Sequence, residues 1–190
     1  MSARRTGGRR LLSLSGSLVI LSGLLPVAVA APAFAESPCT LPFTPIYAIQ
    51  GSGANAAITG TVTTQGVVVG DFEGSSGLQG FYLQDGTGDA DAATSDGIFV
   101  FTGSANTAAR GDIVRVTGYA RERNGQTTLN GSNSNSAAVP ASNIIDCGDG
   151  SVGSTDVTLP FATSAFPERY EGMLVRLPQA LVIAEYFNYD

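Results

Sequence analysis

From residue 58 onward the apolar side chains recur at every second position in short runs, and no run keeps the spacing of a helix. Alternation sends successive side chains to opposite faces of an extended strand, so such runs describe strands with one buried and one wet face. In residues 58–69 (ITGTVTTQGVVV), Ile58, Val62 and Val68 share one parity while threonines crowd the other. Residues 78–84 and 97–101 are short runs rich in aromatic and branched side chains, which suit a pleated surface. In residues 112–123 (DIVRVTGYARER), Val114, Val116, Gly118 and Ala120 face one way, and Arg115, Thr117, Tyr119, Arg121 and Arg123 the other. Asn124 and Gly125 then signal a tight turn, with residues 126–129 returning as a short strand. Residues 130–138 (NGSNSNSAA) are polar and of low complexity, which predicts a flexible loop, and 144–145 and 157–159 are further β-like pieces. Five strands in this order, with a glycine inside the first and a long loop near the end, predict an all-β chain. Its expected centre is a small OB-like Greek-key barrel over residues 58–150, preceded by a lead segment at 36–57. The alternative is an immunoglobulin-like sandwich, which usually has more strands over this length.

The two ends carry different signals. Arg4, Arg5, Arg9 and Arg10 precede an apolar run over residues 11–31, and Ala33 and Ala35 stand two apart after it. This is the pattern of a secretory signal peptide over residues 1–35, cleaved after Ala35. The run is also long enough for a membrane anchor, but several serines and glycines and Pro26 dilute it. Secretion and no membrane association after cleavage are therefore expected. At the other end, the apolar runs 173–175 and 181–183 have no partner strand after them. Residues 151–190 are expected to begin a second β-module and the chain to be an amino-terminal fragment; the alternative is a complete chain whose last strand pairs back onto the barrel.

Charge and cysteine usage narrow the chemistry. Beyond residue 35, six arginines face sixteen aspartates and glutamates, a formal net charge of −10, and there is no lysine or histidine. A surface of that sign repels polyanions at long range, so a nucleic-acid site needs a local arginine patch or bridging cations. Absent histidine removes the commonest general base and the commonest transition-metal ligand, so no catalysis is expected from this segment alone. Cys39 and Cys147 are the only cysteines. In an exported chain a pair reads most simply as a disulfide, with free thiols or intermolecular bridges as the alternatives.

Two candidate sites lie on the predicted barrel. Between the strands at 80–84 and 97–101, Asp85, Asp89, Asp91 and Asp96 form an acidic tip. Such carboxylates can gather oxygen ligands for Ca²⁺, although the order is not that of an EF-hand. Equally, short aspartates and glycines build solvent-exposed turns. On the strand faces, Tyr82, Gln84, Phe99, Phe101, Arg115, Tyr119, Arg121 and Arg123 are candidates for stacking on bases and meeting phosphates of DNA or RNA. The competing reading makes Phe99 and Phe101 core, and the arginines a solvated face.

The run CTLPFTPIYAIQGSG (residues 39–53) is similar to the start of mature bacterial extracellular nucleases of the ExeM/NucH kind. The similarity continues, in the same order, through GFYLQDGTGDADAATSDGIFVFTG, GDIVRVTGYARE and ERYEGMLVRLPQ. The resemblance implies an OB-like region ahead of an endonuclease/exonuclease/phosphatase catalytic domain, itself a hydrolase dependent on Mg²⁺ or a similar divalent metal. That domain, with its metal-binding carboxylates and histidines, has no counterpart here, so only an accessory role is implied, with the catalytic domain as a partner. A structural spacer, or a carbohydrate or cell-surface binding module, remains an alternative.

Overall fold

Strand β1 (Gly60–Phe72) is long because it serves two neighbours. Its first part pairs with β4 (Asp112–Glu122), from Gly60 opposite Ala120 to Val67 opposite Ile113. Its last part pairs with β2 (Gly80–Gln84), from Val67 opposite Gln84 to Phe72 opposite Gly80. Where the two pairings meet, β1 must turn sharply past β2. Gly66 allows this, since a Cβ there would come within 2.5 Å of Gln84 O. A bulge between Val68 and Gly70 adds to the bend.

The computed structural model describes residues 36–182; the predicted signal peptide over residues 1–35, and residues 183–190, lie outside the described residues. Strands β3 (Gly97–Phe101) and β5 (Thr127–Asn130) complete the order β1-β2-β3-β5-β4, and the β1–β4 pairing closes it. The β3–β5 contact is parallel and the other pairings of the barrel are antiparallel. The chain is all-β with a closed five-stranded OB-like barrel, as the alternation predicts. Val68, Phe81, Leu83, Ile98, Val116 and Leu129 meet inside it, each at most 1% exposed.

The lead segment does more than lead. Residues Ile46–Gln50 form a short helix, α1, whose Ile46 and Ile49 are fully buried in the barrel core. Gln50 donates from Nε2 to Gly97 O at the start of β3. Strand β6 (Ile144–Asp149) pairs with β4 from Val116 opposite Ile144 to Asp112 opposite Asp149. Cys39 and Cys147 form a disulfide between the lead and β6, with Cα atoms 5.6 Å apart.

Asn124 and Gly125 both take positive φ, at 55° and 77°, and Arg123 and Gln126 exchange backbone hydrogen bonds across them. The predicted hairpin turn is therefore present. The polar stretch at 130–138 differs from the flexible loop expected of it. Asn130 ends β5 fully buried, and its Nδ2 donates to Ser134 O and Ala137 O. Gly131 N–H bonds to Ala137 O, and Val139 N–H bonds to Phe101 O. One buried amide thus supplies the order that composition alone does not reveal. Beyond the barrel, β7 (Thr155–Asp156) and β8 (Val175–Arg176) pair in parallel, and a 3₁₀ turn spans Phe166–Tyr170. The bidentate Arg176–Asp156 pair, at 2.6 and 2.7 Å, ties these two short strands together.

Candidate nucleic-acid interface

The barrel register lines up one outward row across four strands. Tyr82 stands opposite Phe99, Phe99 beside Thr128, and Thr128 opposite Arg121. This row brings together an aromatic pair and a cation that are distant in sequence. Tyr82 and Phe99 lie 5.0 Å apart between ring centroids. Phe72, at the end of β1, meets Tyr82 edge to face at 6.0 Å and is 47% exposed.

Four of the eight candidate residues are already engaged. Phe99 and Phe101 are only 3% and 5% exposed, so neither offers an open ring. Phe99 lies against Tyr82, and the Arg123 guanidinium sits 4.0 Å above the Phe101 ring. Gln84 is buried, and its Oε1 accepts the Leu174 N–H at 2.8 Å. Arg115 is 7% exposed; it donates to Leu41 O at 2.8 Å and to Pro42 O at 2.6 Å. It therefore anchors the lead segment instead of facing a phosphate. The reason in each case is a segment that strand alternation cannot see, lying over the outward face.

Tyr82, Tyr119, Arg121 and Arg123 remain half-buried at the surface. Arg123 Nε donates to Asn135 O at 2.9 Å, and Arg121 Nε to Glu122 O at 3.2 Å. Burial, and then the nearby Arg121 charge, lower the Arg123 pKa from its ordinary value. Two guanidinium groups that repel each other are a local positive patch on an otherwise acidic protein, and a shared anion relieves the repulsion. Phe72 is not among the residues the sequence singles out. The alternation in residues 58–69 ends before it, and the bulge after Val68 shifts which parity faces outward.

Between Gly70, Phe72 and Tyr82 on one side and residues 172–175 on the other runs an apolar cleft of about 370 Å³. Its aromatic wall belongs to the barrel and its opposite wall to the stretch that leads into β8.

The acidic tip is built as turns. Asp89 Oδ1 accepts from Asp91 N–H at 2.9 Å and from the Thr94 hydroxyl at 3.1 Å. Asp91 Oδ1 accepts from Ala93 N–H, and Asp85 Oδ1 from Thr87 N–H. Asp96 is pushed up from the usual carboxylate value, first by burial and then by the Asp89 and Asp85 charges. Among the described residues no group of three or more carboxylate, cysteine or histidine side chains is arranged to hold a metal ion. Asp85, Asp89 and Asp91 therefore act on backbone amides, while Asp96 Oδ1 is buried without a hydrogen-bond partner.

Among the described residues no helix is long and apolar enough to cross a membrane. Neither family models, nor curated proteins, nor solved structures give a match to this chain.

Proposed function

We propose that this chain is a non-catalytic accessory module of a secreted bacterial endonuclease, and that its barrel binds nucleic acid. The observation that carries the binding proposal is the accessible Tyr82 and Arg121 at the two ends of a row whose middle, Phe99 and Thr128, is buried, flanked by the exposed Phe72 and by Arg123. In barrels of this topology the outer face of the second and third strands and its flanking loops bind oligonucleotides. Stacking is tolerant of base identity, and arginine supplies the phosphate contact, so a single strand of mixed sequence is the ligand class. The accessible face is narrower than the eight residues expected from sequence: Tyr82, Tyr119, Arg121 and Arg123 form it, joined by Phe72. Export is supported by the Cys39–Cys147 disulfide, a bond that persists in oxidising compartments, together with the charge and apolar pattern of residues 1–35. The nuclease context rests on the similarity of the four sequence stretches.

The test is fluorescence anisotropy of a labelled single-stranded oligonucleotide, titrated with the protein across a range of salt concentrations. Binding should weaken with salt, and Arg121→Ala with Arg123→Ala should flatten the slope by about 1.4, or ~0.7 for each phosphate no longer neutralised. Equal affinity and equal slope for wild type and double variant would exclude this face.

A further inference from the structure

Residues 151–182 are joined to the rest of the protein by few polar contacts, and most belong to one residue. Ser95 Oγ donates to Glu171 O at 2.6 Å. The Glu171 carboxyl accepts the Thr127 N–H at 2.7 Å and the Gln50 amide at 3.3 Å. Leu174 N–H donates to Gln84 Oε1 at 2.8 Å. Among the described residues no other hydrogen bond crosses between 151–182 and 36–150. Gly97 and Gly172 lie so close that a Cβ on Gly97 would overlap the Gly172 carbonyl group. The stretch held in this way forms the second wall of the cleft over Phe72 and Tyr82.

We propose that residues 170–175 are a removable cover over the Phe72–Tyr82 face, kept closed by the protonated Glu171 side chain and released when that proton is lost. Around the carboxyl, α1 and β5 offer the uncharged Gln50 and Thr127, while Ser95, in the loop before β3, holds the Glu171 main-chain carbonyl. The charged groups facing it are Glu122 of β4 and Glu168 of the 3₁₀ turn, both negative. Glu122 Oε1 is itself buried without a partner, and its Oε2 accepts only neutral donors, the Ala56 N–H at 3.3 Å and the Thr127 hydroxyl at 3.4 Å. Burial is the first cause that pushes Glu171 up to about 7, with Glu122 and Glu168 adding to it against the two donors. Opening returns the side chain to water and to its ordinary value of 4.5. The closed state is therefore fully favoured below 4.5 and loses that advantage as pH rises through 7. Between about pH 5.5 and about pH 8.5 linkage raises the open fraction by roughly thirtyfold, or about tenfold once solvent screening of a half-buried group is allowed for.

That the uncovered face receives nucleic acid rests on the function proposed above; the cover itself does not. The test is residue-resolved amide hydrogen exchange of the full chain at both pH values, each rate divided by its intrinsic chemical rate. Thr127 and Leu174 report directly, because their N–H groups bond across the joint. Both should lose protection about tenfold in the wild type on going to the higher pH. Glu171→Gln keeps the acceptor and removes the charge, so its protection should stay constant. Glu168→Gln removes a repelling charge near the surface and should shrink the wild-type loss. Unchanged protection in the wild type, or an equal loss in Glu171→Gln, would overturn the cover. A parallel oligonucleotide titration should show affinity rising with pH in the wild type and flat in Glu171→Gln. If the cover opens and affinity does not rise, the nucleic-acid assignment of this face fails while the cover stands.

Discussion

Ile49→Ala probes whether the lead segment belongs to the barrel. Ile49 is fully buried on α1, in the same cluster as Phe81, Leu83 and Ile98. Truncation removes apolar carbons worth about 0.8 kcal/mol each, close to 2.4 kcal/mol in total. The space left behind adds about 1–2 kcal/mol, because the surrounding strands are held by their ladders and collapse only partly. The expected cost is therefore about 3–4 kcal/mol, within the usual range for a buried isoleucine. With a urea m-value near 2 kcal/mol per molar, the unfolding midpoint should fall by about 1.5–2 M. Ile145→Ala on β6 is the control: that side chain is 37% exposed. Its loss should cost less than about 1 kcal/mol. A cost below about 1 kcal/mol for Ile49→Ala, at unchanged m, would refute the placement of α1 in the core. A normal cost with a reduced m would instead mean that α1 leaves before the barrel melts.

Four further outcomes follow from the same structure. Replacing Cys39 and Cys147 by serine opens a loop with a separation of 108 residues; the chain-entropy cost is about 4–5 kcal/mol, seen as a melting temperature lower by roughly 10–20 °C. Arg115→Ala frees two lead-segment carbonyls and should cost about 2–3 kcal/mol in urea unfolding while oligonucleotide affinity stays at the wild-type value. Calcium at millimolar concentration should leave the melting temperature within about 1 °C, since Asp85, Asp89 and Asp91 are engaged by turn amides; a larger rise would favour a calcium site. Glu171 is raised to about 7, so it favours the folded state at lower pH and stability should decline as pH rises from about 5 to about 8; Asp96, also raised, adds a loss of the same sign that begins above its ordinary 3.8. For Glu171 the discounted loss is about 1–2 kcal/mol, and thermal scans of Glu171→Gln should show little of it.

Much of the barrel is legible from side-chain alternation. The β4 parity of Val114, Val116 and Ala120 holds, because one face of that strand meets only core. The Asn124–Gly125 turn is legible because its backbone angles demand such residues. Helix α1 is not legible, since five residues are too few to display a helical period. The burial of part of the candidate face escapes the sequence for a related reason. Alternation reports which side chains leave the core side of a strand, and Phe101, Gln84 and Arg115 do leave it. What then covers them comes from Arg123, Leu174 and the lead segment, and no local pattern announces such distant neighbours. Glu171 illustrates the same limit: a glutamate in a polar run reads as solvated, yet it joins α1, the loop before β3, and β5.

Strand β6 has a consequence for how copies of this chain meet one another. A closed barrel leaves no free ladder, but a sixth strand laid along β4 creates a new rim of unpaired amides and carbonyls, where another chain could add itself. This rim is short and awkward to copy. Gly148 takes a positive φ, Asp146 folds back to accept its N–H at 2.8 Å, and Asp149 ends the strand with another negative charge. Halfway along, the disulfide fastens the lead segment to Cys147. An incoming strand would have to bring carboxylates together and displace a covalent tether. The bond that staples the fold thus also guards it against sheet-by-sheet self-association, and reduction should reveal that second duty as slow aggregation before unfolding.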